Sequence, residues 1–144
     1  MKHLFKLSLV ALLALTAVVS SCTKYEEGSN FSIISAKARL AGDWKLTRYT
    51  VDGTDYTANL GTRLVTIEKD GTYSGSDSYD LFGATFTDTY TGTWQFNDDK
   101  STVSFLETGG SSAEVYTIIE LKNKEIKFQQ IINDNTSIFT YTAQ

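Results

Sequence analysis

The chain has 144 residues with 13 Lys+Arg against 17 Asp+Glu, a formal charge of −4. An acidic chain of this kind is a poor partner for nucleic acid, whose binding rests on clustered cations. Its one cysteine excludes an intramolecular disulfide, and its one histidine, His3, stands in the N-terminal leader.

Lys2 and Lys6 precede an apolar run from Leu7 to Val19. The run is shorter than the ~20 residues that span a bilayer and has the form of a signal peptide, assigned to residues 1–21. It ends in Val19-Ser20-Ser21-Cys22. That tetrad resembles the lipobox of bacterial lipoproteins, which implies cleavage before Cys22, lipidation of its thiol and attachment to the membrane. The alternative is a free thiol behind an ordinary secretory signal, a liability in an oxidising compartment. A multiply acylated anchor holds a protein stably where one chain does not. The expected address is the envelope of a Gram-negative bacterium, most simply the outer membrane, with the face left open. Without the leader the balance is 11 Lys+Arg to 17 Asp+Glu, or −6.

Residues 22–30 read as a polar tether. Lys24, Glu26 and Glu27 resemble the charge clusters that direct some lipoproteins to the cell surface; a plain hydrophilic spacer is the alternative. Residues 31–144 form one domain. Within it Phe31–Ala41 is the one helical segment, with Ser32 as cap, Ile33, Lys37, Leu40 and Ala41 on one face, and Gly42 at its end.

From Gly42 onward, apolar and polar residues alternate with period two. Eight runs (43–50, 63–68, 72–80, 85–96, 101–107, 114–122, 125–132 and 137–143) are separated by Asp-Gly, Asn-Asp and Gly-Gly signals. The absence of proline leaves every run eligible as a central strand. In 85–96, Phe86, Asp88, Tyr90, Gly92, Trp94 and Phe96 share one face and threonines fill the other. Turn chemistry predicts the registers. Lys69-Asp70-Gly71 sets Ile67 opposite Tyr73 and Arg63 opposite Asp77, and Phe82-Gly83 sets Tyr79 opposite Phe86 and Asp77 opposite Asp88. A turn at Asp98-Asp99 sets Trp94 opposite Val103, and Asn123-Lys124 sets Glu120 opposite Lys127 and Ile119 opposite Phe128. A four-residue loop 133–136 sets Phe139 opposite Gln130. The fold class is therefore all-β, an eight-stranded antiparallel up-and-down barrel with a short N-terminal helix. Gly42, Trp44 and Trp94 belong to its floor, with Trp44 a structural plug under the helix; Arg63, Tyr79, Phe86, Val115, Ile132 and Phe139 belong toward its mouth.

Three blocks, Leu40–Leu46 with its Gly42-Asp43-Trp44, Val65–Tyr73, and Gly92–Lys100, resemble the lipocalin-like domain of small bacterial lipoproteins over residues 36–143. The resemblance implies a closed barrel that binds a small molecule or a partner. One feature departs from lipocalins, which pack an arginine of the last strand over the floor tryptophan. No arginine follows Arg63 here.

Without His3 the chain lacks the groups for Ser-His-Asp or Cys-His catalysis and for common zinc sites. No phosphate loop or EF-hand is present, and no metal or cofactor is expected. The one candidate constellation is inward-facing: Arg63, Asp77 and Asp88 in a row on three strands, with Arg48 sharing the face of Trp44 and Leu46. Below a mouth of Tyr79, Phe86 and Phe139, this polar group suits an amphipathic ligand; a water-filled upper barrel with solvated charges is the plainer alternative. The expected function is a lipid-anchored, non-enzymatic module holding a small apolar or amphipathic ligand. The first alternative is a protein-binding module using the mouth loops 51–62, 81–84, 108–113 and 133–136. The second is a hydrolase using Asp77 and Asp88.

Overall fold

A computed structural model describes residues 34–144. The signal peptide, Cys22, the tether and the first three residues of the expected helix lie outside the described residues. The helix, α1, is Ala36–Leu40. Its cap is Ser35, not Ser32: the Ser35 side chain accepts a bond from the Ala38 N–H at 3.1 Å. It buries Ala36 and Leu40 against the barrel end.

The strands are β1 (Gly42–Val51), β2 (Thr54–Asp55), β3 (Thr62–Ile67), β4 (Thr72–Leu81), β5 (Ala84–Phe96), β6 (Thr102–Glu107), β7 (Glu114–Leu121), β8 (Glu125–Ile132) and β9 (Asn135–Ala143). All pairings between neighbours are antiparallel, and β1 pairs with β9, which closes eight strands into a barrel. Closure removes the exposed edges of an open sheet. The ninth strand, β2, is a two-residue spur paired with the end of β1, and a 3-10 turn at Thr57–Asn59 follows it. Both fall in the segment expected to be a plain 51–62 loop.

The floor is as expected. Trp44, Ile67, Tyr73, Trp94, Val103, Leu121 and Ile126 are all buried. The Trp44 indole N–H donates to the Leu40 carbonyl at 2.9 Å, and the Trp94 indole to the Glu68 carbonyl at 2.9 Å. An indole buried with its one donor satisfied costs nothing in lost hydrogen bonding. At this end α1 is tied to the barrel a second time: Arg39 on it donates to the Leu121 carbonyl at 2.9 Å.

The β3–β4 and β4–β5 registers agree with the turn reading throughout: Ile67 faces Tyr73, Arg63 faces Asp77, Asp77 faces Asp88 and Tyr79 faces Phe86. Two other hairpins are shifted by two residues. Trp94 faces Phe105 and Phe96 faces Val103, because Lys100 takes a left-handed conformation and the loop closes between Asn97 and Thr102. Phe139 faces Phe128, not Gln130, because Asn133 and Asp134 both have positive φ, 49° and 65°, and form a two-residue turn. A shift of two preserves the face of every side chain, so these errors move residues along the barrel without turning any outward.

Two bulges do turn side chains. In β1 the pairing with β9 slips between Leu46 and Arg48, leaving Thr47 as the extra residue. In β7 the pairing with β8 slips between Ile118 and Glu120, so Glu120 faces Lys127 as expected while Ile118, not Ile119, faces Phe128. Beyond each bulge the inward and outward faces exchange.

A cavity with an aromatic base and a polar mouth

The interior is not filled. A cavity of about 520 Å³ runs from the floor to the open mouth, within the range of small-molecule sites. Its base is Trp44, Ile67, Tyr73, Ile126 and Phe128. Trp44 is thus both plug and cavity floor. Above it, aromatic rings line the wall. Phe105 meets Tyr73 edge-on at 5.1 Å, and Tyr116 packs on Phe128 at 5.8 Å and edge-on to Phe139 at 5.7 Å. Tyr90 lies across Gly75, its partner on β4. A Cβ on Gly75 would collide with the Tyr90 ring, so the glycine is what lets that ring lie flat on the sheet.

The polar groups form a belt at the mouth. Arg63 and Asp77 make a two-pronged ion pair, Nε to Oδ1 at 2.8 Å and Nη2 to Oδ2 at 2.6 Å. This bond to Asp77 holds the guanidinium firmly in its charged form. The Tyr90 hydroxyl lies 3.4 Å from the Asp77 carboxylate. Tyr116 donates its hydroxyl to Glu114 Oε2 at 2.6 Å. Burial, aided by Asp77 at Tyr90 and by Glu114 at Tyr116, pushes both phenols above their ordinary value. Burial raises Tyr141 too, against the opposing pull of Arg63. All three remain neutral hydroxyls at neutral pH. Glu107 and the loop residues Gly110, Ser111 and Ser112 complete the rim.

Of the expected site residues, Arg63, Asp77 and Phe139 line the cavity. Four do not. Arg48 is turned outward by the Thr47 bulge and pairs with Asp55 at 3.1 Å on the surface; Tyr49 takes the inward position and packs on Phe139 at 4.9 Å. Asp88 keeps its place opposite Asp77 but is exposed, on the part of β5 that rises above the cavity. Tyr79 and Phe86 stack on each other at 5.8 Å on the same ribbon, also exposed. Val115, expected at the mouth, points outward because of the Ile119 bulge, and Tyr116 and Glu114 face in. The aromatic groups therefore lie beneath the polar ones, the reverse of the expected order. Both oxygens of Asp77 are held by Arg63 and Asp88 stands outside the cavity, so the two carboxylates share no cleft of the kind a hydrolase needs. Among the described residues no group of three or more His, Cys, Asp or Glu is placed to hold a metal.

The model of the lipocalin-like domain matches residues 40–128. None of the curated protein sequences compared with the chain matches it. Among solved structures, the chain is similar to Japanin from Rhipicephalus appendiculatus bound to cholesterol, with 9% identity over 76% of this chain and 79% of that one and a TM-score of 0.59. It is also similar to an odorant-binding protein, at 14% identity over 77% and 75% with a TM-score of 0.48. Bovine odorant-binding protein in complex with a selenium-containing odorant gives 12% identity over 79% and 76%, with a TM-score of 0.48. Through the family match, which spans α1's last residue to the middle of β8, the chain belongs to the lipocalin-like domain family.

Proposed function

We propose that this protein is a lipoprotein of a Gram-negative envelope, anchored through lipidated Cys22, that holds a small apolar or amphipathic molecule in its barrel without catalysing a reaction on it. The cavity carries the ligand reading. An interior packed solid would leave only the loops to work with, whereas a 520 Å³ space with aromatic walls and a few placed polar groups fits a small molecule. The anchor rests on the Val19–Cys22 tetrad. Native mass spectrometry of the protein purified from its host tests the binding: a co-purifying small molecule is expected, and a clean apo mass in repeated preparations refutes it. A Cys22→Ala variant is expected in the soluble periplasm; one that stays with the membrane refutes the anchor.

A second reading has its own observation. The β4–β5 hairpin projects past the barrel, and Phe82 at its tip is 99% exposed beside the half-exposed Leu81, Tyr79 and Phe86. A protein partner gripped at the mouth would use this tip. Cross-linking from residue 82 separates the two readings, since a ligand carrier without a partner gives no specific adduct.

A further inference from the structure

We propose that the ligand is an amphipathic cation, an amine whose apolar body rests among Tyr73, Phe105 and Phe128 and whose ammonium is held by Glu107 and Glu114. The inference rests on the ligand-binding reading above and names the chemistry that reading leaves open.

The charged groups on the cavity wall are Arg63, Asp77, Glu107 and Glu114. Arg63 and Asp77 satisfy each other through two bonds. The side-on face of Arg63 is thereby used and its charge is balanced by Asp77, so the pair offers a carboxylate ligand no net positive charge. Glu107 and Glu114 remain. Glu107 faces Gly92 from β6 and Glu114 faces Phe105 from β7, both turned inward on neighbouring strands. Among the described residues no lysine or arginine forms an ion pair with either. Tyr116 donates to Glu114 and orients it, while its ring, with Tyr73 and Phe105, supplies the aromatic faces that attract a cation.

The field of the whole barrel agrees. Every described lysine, from Lys37 to Lys127, stands on α1, in a floor turn or on the floor half of a strand. The mouth carries Asp52, Asp80, Asp88, Glu107, Glu114 and Asp134, and its two arginines, Arg48 and Arg63, are each paired with an aspartate. A potential of this sign draws cations toward the opening and repels fatty-acid-like anions.

Octylamine, octanol and octanoate share a tail and differ in head charge, so calorimetric titration of the full-length protein in detergent isolates the head group. Partition into detergent is common to the wild type and an E107Q/E114Q double variant and cancels between them. The amine is expected to bind the wild type about tenfold or more tighter than the alcohol, with octanoate weakest. The double variant is expected to lose that preference while binding octanol as before. Octanoate binding as tightly as octylamine, or a preference that survives in the double variant, overturns the inference. If octanol binds and the amine gains nothing over it, the cation inference fails while the ligand reading stands. If none of the three binds, the ligand reading fails and takes this inference with it.

Discussion

The Arg63–Asp77 pair offers the most direct quantitative test of the site. The perturbations are Arg63→Met, Asp77→Asn and the two together. At a charge separation of about 4 Å and an effective dielectric of ~20, the bare attraction is about 4 kcal/mol. The two side chains are 36% and 32% exposed at the rim of an open cavity, so water screens much of this. Two good bonds in a half-wet setting leave a coupling of about 1–2 kcal/mol. Arg63→Met is expected to cost the most, about 2–3 kcal/mol, because it leaves Asp77 facing Tyr90 with no counter-charge. The double variant is expected to recover part of that loss, since it removes both charges. Urea unfolding of the four proteins, treated as a double-mutant cycle, measures the coupling directly. A value under about 0.3 kcal/mol would refute the reasoning: the two groups would then be solvated neighbours, and Arg63 would be free to take an anionic ligand.

Three further outcomes follow from other parts of the barrel. Trp44→Phe removes the donor to the Leu40 carbonyl and is expected to cost about 1–3 kcal/mol, read as a lower midpoint in thermal melts; an unchanged midpoint would show that α1 does not depend on the plug. Gly75→Val forces Tyr90 off the sheet and is expected to destabilise by about 1–3 kcal/mol, with tyrosine near-ultraviolet dichroism reporting the displaced ring. Glu120, buried on the outer wall, has its carboxyl lowered: burial opposes ionisation, but bonds to Lys122 and to Lys127, the latter at 2.7 Å, outweigh it. Because the folded value lies below the unfolded one, the stabilisation is full above about pH 4.3 and is lost as pH falls through the folded value. Glu120→Gln is therefore expected to lower stability by about 1 kcal/mol at neutral pH, since the lysines are partly exposed. The gap to the wild type should close on acidification, and a gap that widens instead would reverse the assignment.

The architecture was legible because its signals are local. Period-two alternation in 72–80 and 85–96, with Gly71 and Phe82-Gly83 at the turns, places β3, β4 and β5 correctly down to the facing residue. The two registers that slipped did so where a non-glycine residue adopts positive φ. Lys100 carries no sequence mark of that conformation. Asn133-Asp134 does carry one, since both residue types tolerate the left-handed region. A two-residue turn there would have brought Phe139 beside Phe128, where the structure has it.

The site was harder to read because it depends on the two bulges, and a bulge is a property of the pair of strands rather than of either one. Each nonetheless leaves a trace in spacing. In β1 the inward residues are Trp44, Leu46 and then Tyr49, and in β7 they are Leu121, Ile118 and then Tyr116. Each series advances by two, except for one step of three. Strict alternation instead runs from Leu46 to Arg48 and from Leu121 through Ile119 to Val115. It puts a cation where an aromatic ring belongs and an aliphatic group where Glu114 and Tyr116 stand. The consequence is chemical. With Arg48 inside and Glu114 outside, Arg48 and Arg63 would have balanced Asp77 and Glu107 on the cavity wall; with both bulges in place Arg63 and Asp77 pair with each other, and Glu107 and Glu114 leave the wall net negative. One extra residue in each of two strands thus turns a balanced wall into an acidic one.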